Sequence, residues 1–268
     1  MPVTGFAHPK CYARSLGDCS SQITGEHFLS RSVLQELGGE AVILRGMPWQ
    51  REEFRRIGVN SVTANVLCGR HNSALSGLDT TAVRFFRRLR RAETAVRTGD
   101  GTSEVALFPG IDIERWLLKC IMGLAAGHAV RTPEGAPIPW SPTPLWCRLL
   151  FGRVSFPSTW GLYVHGEAGR AMRLDPGRVT LTPMTASEDV SGCVVTLVGF
   201  DFTLAACDVT ARRAGALNDA SIHRPTEIVF ADPPSHTTHS VCLAWSNKWV
   251  GEAIHTTWSP YLAESASN

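Results

Sequence analysis

The sequence predicts an α+β protein, and three observations carry that expectation. Leu75, Leu78, Ala82, Phe86 and Leu89 recur at spacings of three or four, which places them on one helical face. Strand-like runs fill the second half of the chain, at 160–165, 177–183, 192–199, 202–207, 226–230 and 239–245, separated by turns rich in Gly, Pro, Asp and Ser. Cys11, Cys19 and Cys68 lie in polar, turn-like settings of the first third, unlike the other cysteines.

Taken in order, residues 1–24 read as irregular, and Ile23–Leu29 as a short strand and turn. Ser30 precedes a helix over Arg31–Leu37, which Gly38-Gly39 should stop. Ala41–Leu44 reads as a strand, and the basic stretch Trp49–Ile57 as helical. Ser61–Leu67 alternates and is rich in β-branched residues, so a strand should lead into Cys68. Residues 98–102 form the expected linker, dividing the chain into domains 1–98 and 99–268. Asp112 is the expected cap of a helix over Ile113–Ala126, ended by Gly127. A Pro-rich stretch, Pro133–Pro144, then leads to a short apolar segment, Leu145–Phe151, and the strands.

With 268 residues, the chain is long enough to bury a sizeable core. Its longest apolar run, Leu117–Val130, is interrupted by Lys119 and His128 and is too short to span a membrane. No secretory signal is visible at the N-terminus, so a cytoplasmic protein is expected. The net charge of +2 is unevenly spread: residues 1–100 carry 14 Lys+Arg against 9 Asp+Glu, and the remainder 12 against 15. Any polyanion contact therefore belongs to the front of the chain. Of eight cysteines, several sit in apolar strands and read as buried thiols.

Two stretches carry chemistry. Cys68-x2-His71 has the spacing of a zinc knuckle, and Cys11 and Cys19 could complete four ligands, with His8 competing for the place of Cys19. Glu26-His27 and Asn72 offer two oxygen donors and an imidazole. An imidazole can take a proton from water near neutral pH, and a divalent cation such as Mg²⁺ can stabilise charge on a phosphate. Arg84, Arg87, Arg88 and Arg91, with Arg90, crowd one stretch of the helix without a matching acidic set nearby, which points to phosphate contact.

The succession of a cysteine pair, Gly25-Glu26-His27, Leu67-Cys68-x2-His71-Asn72 and Leu78-Asp79 resembles the zinc-stapled HNH endonucleases, also called His-Me finger or ββα-metal nucleases. The resemblance covers about residues 8–95. In this chain His71 stands for the second Cys of the usual CxxC, Ser30 stands near the usual Pro, residues 35–60 look inserted, and the third-motif His is absent.

The resemblance implies a zinc-stapled ββα-metal finger, followed here by a helical segment and a β-rich antiparallel C-terminal domain. It implies structural zinc on Cys11, Cys19, Cys68 and His71, with His27 as general base. Glu26 and Asn72 would surround a catalytic Mg²⁺ or other divalent cation, and DNA would be the substrate. Asp79 reads as a surface acid near the helix start or as an aid to the metal. The alternatives are a non-catalytic zinc-stapled module that binds nucleic acid or protein, and a nuclease acting on RNA.

Overall fold

The computed structural model describes residues 5–38, 41–44, 55–99, 102–130, 138, 140–167, 170–171, 180–186, 189–207, 217, 221–232, 236–246 and 251–257. The fold is α+β, and among these residues every α-helix precedes residue 151 while most strands follow it. A 3₁₀ turn, Tyr12–Leu16, comes first. The front of the chain then forms β1 (Ile23–His27), α1 (Arg31–Gly38), β2 (Ala41–Leu44), β3 (Arg55–Gly58), β4 (Thr63–Cys68) and α2 (Gly69–Thr98). β1 and β4 pair antiparallel, with a register shift between Thr24 and Gly25.

The basic stretch expected to be helical ends instead in β3, which pairs with β2; residues 45–54 lie outside the described residues. Helix α2 begins at Gly69, six residues before the first residue of its apolar pattern, so Cys68 is its N-cap and His71 and Asn72 lie in its first turn. Gly99 ends it with φ 70°, the left-handed cap that glycine adopts at least cost.

Beyond this cap the chain forms β5 (Glu104–Pro109), α3 (Gly110–Ala126) and α4 (Pro144–Leu150). Pro109, not Asp112, holds the N-cap position of α3, and Asp112 sits inside the first turn. The remaining strands are β6 (Gly161–Glu167), β7 (Arg170–Ala171), β8 (Thr180–Ala186), β9 (Asp189–Leu197), β10 (Phe200–Ala205), β11 (Ser221–His223), β12 (Glu227–Asp232), β13 (Thr237–Ala244) and β14 (Ala253–Thr257). An antiparallel sheet runs β11-β6-β10-β9-β8, with β7 on β6. A second sheet, β14-β12-β13-β5, pairs β12 with β13 antiparallel, whereas β14 and β5 join parallel. No helix among the described residues is long and apolar enough to cross a membrane.

One apolar core runs from Cys11 to Ile254, across the position where the chain was expected to divide. Helix α3 lies inside it, and from Trp116 to Ala125 every residue is buried. A helix buried all round has no solvated face for its charges. α3 nevertheless carries two fully buried charged side chains, Glu114 and Lys119.

Glu114 turns toward the sheets. It accepts bonds from Arg224 Nε at 2.7 Å, Arg224 Nη2 at 3.1 Å and the Leu162 amide at 2.9 Å. Gly161 makes room for it: with φ 131°, a Cβ there would lie 2.2 Å from Glu114 Oε1. Arg224 also stacks over Trp245, whose indole N–H is bonded to the Pro225 carbonyl.

Removing one partner of such a pair strands a buried charge. Arg224→Leu should therefore cost about 3–5 kcal/mol, while a Glu114→Leu/Arg224→Leu double replacement should recover most of that loss. Urea unfolding of the three proteins measures both.

Candidate metal centre and adjoining cleft

Local geometry starts from Cys68. Its extended backbone (φ −72°, ψ 154°) closes β4 and opens α2, so the thiol and the His71 ring project from one helical turn. The 20–22 segment is tied to this turn by Gly69 N–H on the Gln22 carbonyl at 2.9 Å and Arg70 N–H on Ser20 Oγ at 3.2 Å. Arg70 pairs with Asp18 at 2.6 Å. These contacts bring the loop of Cys11 and Cys19 against the helix start.

The four predicted zinc ligands converge. Their ligand atoms lie within 4.8 Å of one another, and all four residues are buried. His71 Nδ1 is 3.5 Å from Cys11 Sγ, 3.7 Å from Cys19 Sγ and 3.2 Å from Cys68 Sγ. A single ring nitrogen cannot satisfy three sulfurs by hydrogen bonding, but a shared cation can. Tetrahedral zinc, with bonds of about 2.3 Å to sulfur and 2.0–2.1 Å to nitrogen, sets an S···N edge of about 3.6 Å.

Protonation follows the same logic. Burial pushes the Cys11 thiol up to about 12 and raises Cys19 as well. For Cys68 burial acts in the same direction, but hydrogen bonds from His71 and Ser20 outweigh it and lower the pKa. Burial and Arg153 lower His71, keeping its imidazole neutral. The residues fit a zinc-like ion, whose charge would deprotonate the remaining thiols. Cys19 belongs to the cluster, while His8 Nδ1 instead accepts the Lys10 amide. Phe151, just after α4, meets the His71 ring edge-on at 5.2 Å, and Cys147 Sγ bonds to the Tyr12 carbonyl.

Next to this centre is a cavity of about 380 Å³ lined by residues that include Gly25, Glu26, His27, Arg31, Asn72, Asp79 and Lys119. β1 and α2 thus bring all three predicted chemical residues, Glu26, His27 and Asn72, to one cleft. Asn72 and Asp79 are seven residues apart, two helical turns, and so share a face of α2. Asp79 is therefore part of the cleft rather than a surface acid.

Three cleft residues were not singled out from sequence. Lys119 of α3 lies 2.6 Å from Glu26 Oε1 and donates to both Asp79 oxygens at 2.6 and 2.7 Å. Ser30, which precedes α1 as expected, hydrogen-bonds Asp79 and receives the Trp116 indole N–H at 2.6 Å. Arg31 stands exposed at the mouth. Lys119 did leave a signal, as a lone cation in an otherwise apolar helical stretch.

Charge in the cleft is set by burial and these contacts. Burial disfavours the Lys119 ammonium, yet Glu26 and Asp79 outweigh it and hold the group above its ordinary value. Burial raises the Glu26 carboxyl, with Lys119 opposing the shift. Burial lowers His27, and Lys119 and Arg31 add to that effect. His27 Nε2 is buried and finds no hydrogen-bond partner among the described residues.

The expected divalent cation fits this cleft poorly. An ion on Glu26 Oε1 at the usual magnesium distance of about 2.1 Å would lie within about 5 Å of the Lys119 ammonium. At an effective dielectric constant of about 20, that repulsion is on the order of 7 kcal/mol. Asn72 donates its amide N–H groups back to Thr24 Oγ1 at 3.0 Å and the Gly25 carbonyl at 3.4 Å, contacts that leave its carbonyl oxygen unused.

Of the arginines predicted to meet phosphate, Arg87 forks onto Glu36 Oε2 at 2.9 and 2.8 Å. Arg91 bonds Glu104 Oε1 at 2.9 Å, and Arg88 bonds Glu104 Oε2. Arg90 reaches the Glu36 carbonyl. The acidic set missing nearby in sequence comes from α1 and β5. Arg84 is exposed and forms no ion pair among the described residues. No family model, curated protein or solved structure matches the chain.

Protein purified without added metal should contain one zinc per chain by elemental analysis. Cys68→Ala should lose it and melt about 6–12 °C lower, corresponding to roughly 3 kcal/mol at 2–4 °C per kcal/mol.

Proposed function

We propose that this chain is a nuclease of the HNH, or His-Me finger, kind, hydrolysing phosphodiester bonds in DNA. His27 is the general base and the cysteine–histidine cluster is a structural zinc staple. The observation that carries the reading is the His27 imidazole, whose buried Nε2 has no hydrogen-bond partner among the described residues, beside a cavity lined by β1 and α2. A neutral imidazole takes a proton from water as the oxygen attacks phosphorus, and the P–O bond to the leaving oxygen breaks. That leaving oxygen takes a proton from solvent.

The other residues of the cleft suit a phosphate. Arg31 places a guanidinium at the mouth, where it can pair with phosphate oxygens. Lys119 puts a protonated amine in the cavity wall. Farther along α2, a cavity of about 280 Å³ is lined by Arg87, Arg90, Arg91 and Glu36. The basic flank of α2 would hold the backbone of a longer substrate there, with phosphates exchanging for Glu36. The zinc staple does no chemistry in this reading. It fixes Cys68, and with it the first turn of α2 that carries Asn72.

In the second reading, a zinc-stapled module that binds nucleic acid or protein without cleaving it, the ion pairs that engage Arg87, Arg88 and Arg91 favour a protein partner over nucleic acid. Zinc-replete protein separates the two when it is incubated with plasmid DNA and, in parallel, with RNA of similar length.

The nuclease reading expects nicking that His27→Ala reduces by about 10²–10⁴-fold. Wild type and His27→Ala at the same background rate on both substrates would leave only the binding module. Because burial lowers His27 from its ordinary value of 6.5, the neutral base persists below that pH. The rate should be flat above neutrality and fall only as pH drops through the lowered value. A pH–rate profile with an acid limb above 6.5 would contradict His27 as the base in this setting.

A further inference from the structure

We propose that Lys119 is the resident cation of the β1–α2 cleft, holding Glu26 and Asp79 in the way a divalent ion would. The two carboxylates come from different elements, and the ammonium lies between them at 2.6 Å from each. Lys119 and Glu26 are almost fully buried, so the ammonium meets carboxylate oxygens rather than solvent. The carboxylates are fixed in turn. Asp79 also accepts the Ser30 hydroxyl, and Trp116, one turn before Lys119 on α3, holds Ser30 through its indole N–H.

The stem of Lys119 rises from a helix buried in the core, and the residue is only 3 % exposed although it lines the cavity. This is a cation built into the chain at the point where two oxygen-bearing elements meet. Lys119 is thus a positioning residue: it sets the direction of Glu26 and Asp79 and occupies the space between them. What that charge is for, stabilising a phosphate, rests on the nuclease reading. The occupancy of the space does not.

Mn²⁺ titration followed by electron paramagnetic resonance tests the occupancy directly. Zinc-replete full-length protein is used at neutral pH, and the free hexaaquo signal is read. Wild type should leave that signal unchanged at equimolar metal. Lys119→Met keeps the apolar stem and removes the charge. It should bind one Mn²⁺ per chain, at least about tenfold more tightly than wild type, because two facing carboxylates then lack a counter-ion. That site should disappear in Lys119→Met/Glu26→Gln.

Wild type that binds one Mn²⁺ and loses it in Glu26→Gln overturns the proposal, and this measurement does not require the Lys119 variant to fold. A folded, zinc-retaining Lys119→Met protein that leaves Mn²⁺ free overturns it as well. If the protein cleaves DNA, the rate should not depend on added Mg²⁺, and an absolute Mg²⁺ requirement would also overturn the proposal. Absence of cleavage removes the nuclease reading and leaves the Mn²⁺ result to stand by itself.

Discussion

The architecture depends on two buried charges on one buried helix. α3 passes through the core, where an ammonium or a carboxylate is tolerated only if an opposite charge comes to meet it. Lys119 is met by β1 and α2, and Glu114 by Arg224 beside the sheets. The two residues are five apart and so point to different sides of the helix. Each pair would be strained by a small shift of α3, so together they restrict how the front of the chain can sit on the sheets. Apolar packing alone would tolerate sliding; hydrogen-bonded ion pairs do not.

This constraint connects fold and chemistry. The cluster of Cys11, Cys19, Cys68 and His71, which could hold a metal ion, lies at one end of the β1–β4–α2 unit, at the start of α2. Lys119 secures the same unit two helical turns farther along, at Asp79. The cleft lies between these anchors, and its charge is governed by both burial and the ammonium. The buried core of the front of the chain is continuous with that of the rest. A residue from beyond the expected boundary lines the cleft, and Phe151, just after α4, packs on the His71 ring.

The arginines of α2 illustrate how far local reading reaches. Five fall within eight residues, and the helix that presents them is evident from the apolar spacing alone. Their partners are not, because Glu36 is 51 residues from Arg87, and Glu104 belongs to a strand that was not foreseen. β5 was missed for a physical reason. It is an edge strand whose burial alternates but whose exposed positions include Val105 and Leu107, so apolar residues lie on both faces and the sequence lacks the apolar/polar alternation of a half-buried strand. Its pairing comes from β13, more than a hundred residues later. The same holds for Asp79, whose position on the helix was legible but whose cleft was not.

The sequence by itself determined the ligand types and their spacing at Cys68 and His71, the apolar face of α2, and the approximate places of β6, β8, β9, β10, β12 and β13. These features follow from the rise and period of the local backbone, which neighbouring residues express without help from the rest of the chain. Tertiary structure alone decided that Cys11 and Cys19 reach the same point, that the α2 arginines find carboxylates, and that Lys119 fills the space between Glu26 and Asp79. Those outcomes depend on which distant segments come together once the helices have packed, and no short stretch of sequence contains all the members of such a contact.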